Sequence, residues 1–286
     1  MTTYAVTGAT GPLGRLVVST LLDRGVPAAD VVAVVRDPAK AADLQARGVQ
    51  VRLGDYDRPE TLPAALAGVD RLLLVSGNAV GQRIRQHTAV IDAAKAAGVQ
   101  RIAYTSLLRA DTSTLPLAPE HLATEQALRT SGVPFTLLRN SWYVENYTGQ
   151  LDQYRAQGAI IGAAGDARVA AAPRADYAAA AAGALLGDGH DNAVYELGGP
   201  AVTLPELAAA LSEATGTTIA YRDVPLADFR AGLLGAGLDE GTAGFVTALE
   251  EGTARGELET STADLEALLG RPATPLREAV VSLLRP

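Results

Sequence analysis

The sequence predicts an α/β fold: a doubly wound parallel sheet with a smaller, mostly helical lobe contributed by the second half of the chain. Three observations predict it. Short apolar runs alternate with helical patterns through the first half of the 286 residues, which implies parallel strands joined by right-handed crossovers. Those runs are almost unbroken by polar residues, which implies a sheet covered on both faces. Beyond about residue 142 the alternation loosens, so the later segments cap the first half and some of their strands rejoin the sheet.

Each element follows from its residues. Residues 4–7 read as a buried strand; Leu13, Leu16, Val17 and Leu21 recur behind it at helical spacing, and Pro12 suits a first helical turn. Residues 31–35 form a second strand, 38–47 a helix, 50–53 a third strand, 60–67 a short helix and 72–75 a fourth strand. A helix over 81–97 ends at Gly98, a glycine C-cap. Residues 102–105 give the next strand, 119–131 a helix and 135–138 a strand. In the second half, 174–186 is an alanine-rich helix and 194–197 a late strand. Residues 203–215 are helical, with Thr203 as N-cap and Glu206 three residues on, a capping-box pattern. Residues 219–224 form a strand, and the remainder to residue 284 is helical with glycine breaks. Residues 1–150 thus form a core and residues 151–286 a second lobe with segments returning to the core.

Composition narrows the function classes. Apolar residues make up 48% of the chain, ample for a sizeable core. The formal charge is −8, with no basic stripe, which argues against nucleic acid as a partner. With no cysteine, a disulfide framework, a zinc–thiolate site and a cysteine nucleophile are all excluded. His87, His121 and His190 are not at metal-ligand spacing, so no metal site is expected. The start lacks a signal-peptide pattern and no apolar run spans a bilayer, so the expectation is a soluble cytoplasmic protein, monomer or homodimer, with no membrane partner.

The segment TGATGPLG, residues 7–14, carries the first chemistry. Gly8, Gly11 and Gly14 fall between the first strand and the first helix. One glycine permits a tight turn, one lets backbone amides approach a pyrophosphate, and one lets helix and strand pack closely. The helix N-terminus then faces the phosphates with its partial positive charge. No Gly-Lys-Ser/Thr follows, so it is not a Walker loop. The fold is therefore Rossmann-type, and the loop residues Gly8, Thr10, Gly11, Pro12, Leu13 and Gly14 are candidate dinucleotide contacts. Arg36 stands at the tip of the second strand, where an acidic residue would hold the ribose hydroxyl of NAD. A guanidinium there matches a 2′-phosphate, which favours NADPH, with NADH weaker through Asp37. Asp55, after the third strand, either accepts a hydrogen bond from the adenine amino group or caps a turn. Ser76, Gly77 and Asn78 follow the fourth strand on the ligand side of the sheet.

The Tyr-x-x-x-Lys pair of many short-chain reductases cannot exist here. The only lysines are Lys40 and Lys95, preceded four residues earlier by Arg36 and Ile91. The corresponding helix start carries Glu120, His121 and Glu125 instead.

Together these segments resemble the NmrA-like atypical short-chain dehydrogenases, and within them the bacterial NAD(P)H:quinone oxidoreductases of the second type. The residues that carry the likeness are TGATGPLG (7–14), VAVVRDPAKA (32–41), LLLVSGNAVGQR (72–83), AAKAAGVQRIAYTSLLRADTS (93–113), EHLATE (120–125), FTLLRNSWYVENY (135–147) and GAAGDARVAAAPRADYAAAAA (162–182). The triphenylmethane dye reductases share much of it. The resemblance implies that residues 8–14 hold the pyrophosphate, Arg36 faces the 2′-phosphate, and Ser76, Gly77 and Asn78 line the adenosine and ribose. It also implies that Asn140, Ser141, Trp142, Tyr143 and Glu145 lie near the nicotinamide. Trp142, Tyr143 and Tyr147 then either wall a planar substrate or pack in the core. Catalysis without a tyrosine–lysine pair suits a quinone, because the hydroquinone anion formed by hydride arrival is far less basic than an alkoxide. Positioning supplies most of the acceleration, a resource of about 7–11 kcal/mol. His121 and Tyr104 are the candidates for assisting protonation. Asp176 is read as stabilising a helix start. The family also contains dinucleotide-binding redox sensors without chemistry, and reductases of other conjugated acceptors such as dyes; both remain alternatives.

Overall fold

The computed structural model describes residues 1–285. The first half builds β1 (Tyr4–Thr7), α1 (Pro12–Asp23), β2 (Val31–Val35), α2 (Ala42–Ala46), β3 (Gln50–Leu53), α3 (Leu62–Leu66), β4 (Arg71–Leu74), α4 (Arg83–Ala96), β5 (Arg101–Leu107), α5 (Ala118–Ser131) and β6 (Phe135–Asn140). The chain continues through α6 (Glu145–Thr148), α7 (Leu151–Gln157), β7 (Ala159–Gly162), β8 (Arg168–Val169), α8 (Arg174–Leu186), β9 (Ala193–Leu197), β10 (Val202–Thr203), α9 (Leu204–Thr215) and β11 (Ala220–Asp223). It closes with α10 (Leu226–Gly235), α11 (Glu240–Ala254), α12 (Ala263–Leu269) and α13 (Leu276–Leu284).

Seven strands form one sheet in the order β3-β2-β1-β4-β5-β6-β9, all parallel. Tyr4 of β1 is in register with Val31 on one side and Arg71 on the other. Chain order reverses between β1 and β4, and a ligand binds at such a crevice, outside the carboxyl ends of the strands.

Strand parity divides the core. Val6, Ala33, Leu73, Ala103 and Leu138 pack with α1, α8 and α12. Ala5, Val32, Leu72, Leu74, Ile102 and Tyr104 pack with α3, α4 and α5. All five residues of β2 are buried, as its unbroken VVAVV run requires. The small side chains of α8 (Ala178, Ala180, Ala181, Ala182) let it lie close against α1. β9 joins the main sheet beside β6 and α8 packs against α1, both from the second half of the chain. A third cluster, including Tyr154, Ile160, Leu204, Leu207, Leu211 and Leu258, holds the remainder together beneath two small sheets, β10–β8 and β11–β7.

Two expected helices are shorter than read. The 38–47 segment begins with a 3-10 turn, Pro38–Ala41, and the 60–67 segment follows another, Pro59–Thr61. The capping box is present: Thr203 Oγ1 accepts from Glu206 N at 3.3 Å and Glu206 Oε2 from Thr203 N at 2.7 Å. α6, α7, β7, β8 and β10 were not legible, because each is too short to show a period; α6 and α7 lie in a mostly polar stretch, and the short strands among glycines and alanines. Among the described residues, no helix is long and apolar enough to cross a membrane.

Candidate active site

The glycine loop sits at the end of β1, beside the reversal of strand order. Gly8 has φ +58°, a conformation that favours glycine, and its carbonyl accepts from Gly11 N at 2.8 Å. A Cβ at Gly14 would run into the Gly8 carbonyl and lie 3.0 Å from Ala9 Cα, so α1 can approach β1 only with glycine there. Gly11 is the N-cap of α1, with no side-chain cap and no acidic residue in the first turn. The positive end of this helix is therefore left for an external anion. Pro12 occupies the first turn and is exposed, Thr10 is half-buried, and the Leu13 side chain belongs to the core, so only its backbone faces outward. Beneath the loop, the Tyr56 hydroxyl lies 2.5 Å from Thr7 Oγ1 and 2.9 Å from the Val75 carbonyl, while Val75 N donates to Thr7 Oγ1 at 2.9 Å. This network fastens β1 to β4. Burial pushes the Tyr56 hydroxyl's pKa up, which keeps it protonated.

Arg36 is exposed beyond β2 and makes no hydrogen bond or ion pair among the described residues. Its neighbour Asp37 is committed: its Oδ1 accepts from Ala39 N at 3.0 Å and caps the following turn. Asp55 is committed too. Its two oxygens accept from Asp57 N at 3.0 Å and Arg58 Nε at 3.3 Å, which closes the turn after β3. A free guanidinium beside an uncapped helix start fits a nucleotide phosphate, and an acid that would select the ribose hydroxyl is spent elsewhere.

The loop after β4 is held from behind. Ser76 N donates to Thr105 Oγ1 at 2.8 Å, and Gly77 N donates to His87 Nε2 at 3.0 Å. The Thr124 hydroxyl donates to the Glu120 carbonyl at 2.9 Å, so toward His87 Nδ1, also 2.9 Å away, it acts as acceptor. These partners select the neutral Nδ1–H tautomer of His87. Burial, with Arg83 nearby, pushes its pKa down to about 4, in keeping with that tautomer. Arg83 Nε donates to the Gly77 carbonyl at 2.5 Å, and the guanidinium pairs with Glu120 at 3.1 Å. Gly77 tolerates this crowding because a Cβ would stand 3.1 Å from Gln86 Oε1. Asn78 is exposed at the loop's crest.

Tyr104 and His121 meet each other rather than the groove. Tyr104 Oη is 2.8 Å from His121 Nδ1; Tyr104 is fully buried and His121 nearly so, between β5 and α4/α5. Burial raises the Tyr104 pKa, and burial with Arg83 lowers that of His121 to about 3, so neither is poised to exchange a proton near neutrality. Glu125, four residues beyond His121, is 1% exposed and accepts from Ser106 Oγ at 2.6 Å and from Arg139 at 2.9 and 2.7 Å. Arg139 also reaches Asp111 and Glu196. The place of the absent tyrosine–lysine pair is thus filled by a buried ion network that ties the ends of β5, β6 and β9 together.

The segment after β6 splits its residues between two sides. Asn140 is 5% exposed; its Oδ1 has no partner among the described residues and its Nδ2 lies 3.4 Å from Tyr143 Oη. A buried, unpaired amide oxygen calls for an external donor, which is what a carboxamide-bearing ligand offers. Ser141 Oγ donates instead to the Leu258 carbonyl at 2.9 Å, and both Glu145 oxygens accept from Arg174 N, at 2.9 and 3.1 Å, capping α8. Tyr143 packs edge-on to Tyr177 at 5.2 Å beneath the Arg174 guanidinium, 4.7 Å from the ring centroid. It therefore does not line the cavity. Asp176 is buried and fastens residue Thr274 and Arg271, accepting from Thr274 N at 2.8 Å. Trp142 and Tyr147 line a cavity of about 290 Å³ closed by α7, α10 and α11, with Tyr154, Phe229, Leu249 and Glu250 among its other walls.

A model of the NmrA-like family matches residues 2–275. This chain belongs to the NmrA-like family. It is 49% identical over 280 residues to quinone oxidoreductase 2 of Escherichia coli strain K12, covering 98% of each chain. The crystal structure of the E. coli NADPH-dependent quinone oxidoreductase complexed with NADPH superposes with a TM-score of 0.93 at 49% identity, covering 99% of this chain and 100% of that one. The Citrobacter sp. triphenylmethane reductase complexed with NADP(H) gives a TM-score of 0.91 at 41% identity, with 99% and 100% coverage. In this NmrA-like chain, sequence reasoning missed Tyr56 and His87 as the braces of the loops, and Tyr154, Phe229 and Glu250 as cavity walls. These roles rest on contacts between different elements, and no spacing rule connects the partners.

Proposed function

We propose that this protein is an NADPH-dependent oxidoreductase that reduces quinones, with the acceptor seated in the cavity walled by Trp142 and Tyr147. The observation that carries the reading is the exposed, unpaired Arg36 next to the uncapped start of α1, in a chain that follows the NADPH complex of the E. coli quinone oxidoreductase along its whole length. NADPH supplies hydride when bound. The chain's residues supply position: the backbone N–H groups of Thr10, Leu13 and Gly14 for the pyrophosphate, Arg36 for the 2′-phosphate, Ser76, Gly77 and Asn78 for the adenosine side, and Asn140 for the nicotinamide end. The aromatic walls of the cavity hold a flat ring and exclude water from it. Since Tyr104 and His121 are turned into the core, the reading assigns them no proton transfer.

The cavity wall carries Asp228 and Glu250 and, among the described residues, no lysine or arginine, which also supports cationic conjugated dyes as a second class of acceptor. A panel of benzoquinone, naphthoquinone and cationic dye with NADPH, followed by loss of the reduced-nicotinamide absorbance, tests both. Quinone-dependent loss is expected; tight NADPH binding with no loss for any acceptor refutes the reading.

A further inference from the structure

The cavity walls are mostly apolar and aromatic, but several polar groups on them are unspent. Trp142 Nε1, the Tyr147 hydroxyl and Glu250 Oε2 make no hydrogen bond among the described residues, although all three side chains line the cavity. Glu250, on α11, is anchored by its other oxygen, which accepts from Ala163 N at 2.7 Å. The strand end that receives it is cut to fit: a Cβ on Gly162 would come within 2.6 Å of Glu250 Oε1. With Oε1 occupied, Oε2 is the atom left for a ligand.

The groups facing Glu250 from neighbouring elements are Tyr147 on α6, Tyr154 on α7, and Tyr221 and Asp223 on β11, with Asp228 of α10 also lining the cavity. No cation lines the cavity among the described residues. Burial raises the pKa of Glu250 against the lowering effect of the Ala163 N–H bond, and Asp223 adds to the rise. A quinone offers only hydrogen-bond acceptors, so a carboxylate oxygen repels it, whereas a carboxylic acid donates to it.

We propose that Glu250 is the positioning residue of the acceptor cavity: as the carboxylic acid, its Oε2–H donates to a ring oxygen of an uncharged planar aromatic ligand, and ionisation releases that ligand. The proposal rests on the reading that the cavity seats the acceptor. The Trp142 and Tyr147 donors are available to the ligand's other oxygen. Anionic aromatics are rejected at any pH, because no cation meets them.

Trp142 is the sole tryptophan of the chain and lines the cavity, so its fluorescence reports occupancy directly. The full-length protein is titrated with a 1,4-naphthoquinone in the absence of reductant, over a pH series. Saturable quenching is expected, with affinity falling roughly tenfold as pH rises through the titration of Glu250. Glu250→Gln keeps both an acceptor for Ala163 and an N–H for the ligand; it should bind within about threefold of the wild type and lose the pH response. Asp228→Asn should keep the wild-type profile, and a naphthalene sulfonate should not quench. Saturable quenching that is independent of pH, or that follows the same pH profile in Glu250→Gln, overturns the role of Glu250 while leaving the cavity as the acceptor seat. Absence of saturable quenching in the wild type overturns both. Should Glu250→Gln fail to fold, the wild-type and Asp228→Asn profiles still decide, because loss of the pH response in Asp228→Asn assigns it to the wrong carboxyl.

Discussion

Replacing Arg36 by alanine removes a guanidinium that does nothing for the fold. The side chain is exposed and makes no bond among the described residues, so the melting temperature should move by no more than an exposed substitution allows, about 0.5 kcal/mol in stability. A hydrogen bond from a guanidinium to a phosphate contributes about 1.5–3 kcal/mol. At about 1.4 kcal/mol per decade, that is a loss of roughly ten- to 150-fold in NADPH affinity. Exposure places Arg36 at the lower end of this range, and added salt should shrink the loss further. Arg15 does not substitute, because it is paired with Asp43 and also donates to the Lys40 carbonyl at 2.8 Å. Calorimetric titration of both proteins with NADPH and with NADH, at low and at high salt, measures the effect. NADH affinity should stay within about threefold, since NADH has no phosphate for Arg36 to meet. Equal losses for the two coenzymes, or none for either, refute the assignment of Arg36.

Other perturbations test the scaffold of the site. Gly14→Ala pushes a methyl against the Gly8 carbonyl, and should both destabilise the protein by about 1–3 kcal/mol and weaken coenzyme binding; unchanged melting and unchanged titration would show that the loop does not need the close approach. His87→Ala leaves the Gly77 amide without its acceptor and opens a void, with an expected cost of about 2–4 kcal/mol and faster hydrogen exchange at Gly77; wild-type exchange there would remove its bracing role. Glu257 is opposed by burial, but hydrogen bonds from Ser113, Thr114 and Arg255 prevail and hold its carboxyl down to about 2. Because its folded pKa lies below the unfolded value of about 4.3, its contribution is complete above that value and is lost as pH falls through the folded one. Melting curves should show Glu257→Gln less stable than wild type at neutral pH, with the gap closing in acid; parallel curves would contradict this.

The geometry of the glycine loop and the position of Arg36 were legible from the residues alone. The spacing of Gly8, Gly11 and Gly14 states a geometric need that only glycine meets, and Arg36 is located simply by counting to the end of an apolar strand. Local partners were legible as well, as with Thr203 and Glu206. What escaped were roles decided by distant contacts. Glu145 looked like a residue of the nicotinamide end, yet its carboxylate caps a helix that starts 29 residues later. Glu250 acquires meaning only from Ala163, 87 residues before it. The placement of Tyr104 illustrates a missed inference: it shares strand parity with Ile102, a core residue facing α4 and α5, so period two already turned it away from the crevice.

The most direct measurement mixes the full-length protein with NADPH and 1,4-benzoquinone in the absence of oxygen, and follows reduced-nicotinamide absorbance and hydroquinone together. The account predicts enzyme-dependent loss of one NADPH for each hydroquinone formed. NADPH that binds tightly but persists, with quinone unconsumed, would contradict it and leave a protein that holds the dinucleotide without using it.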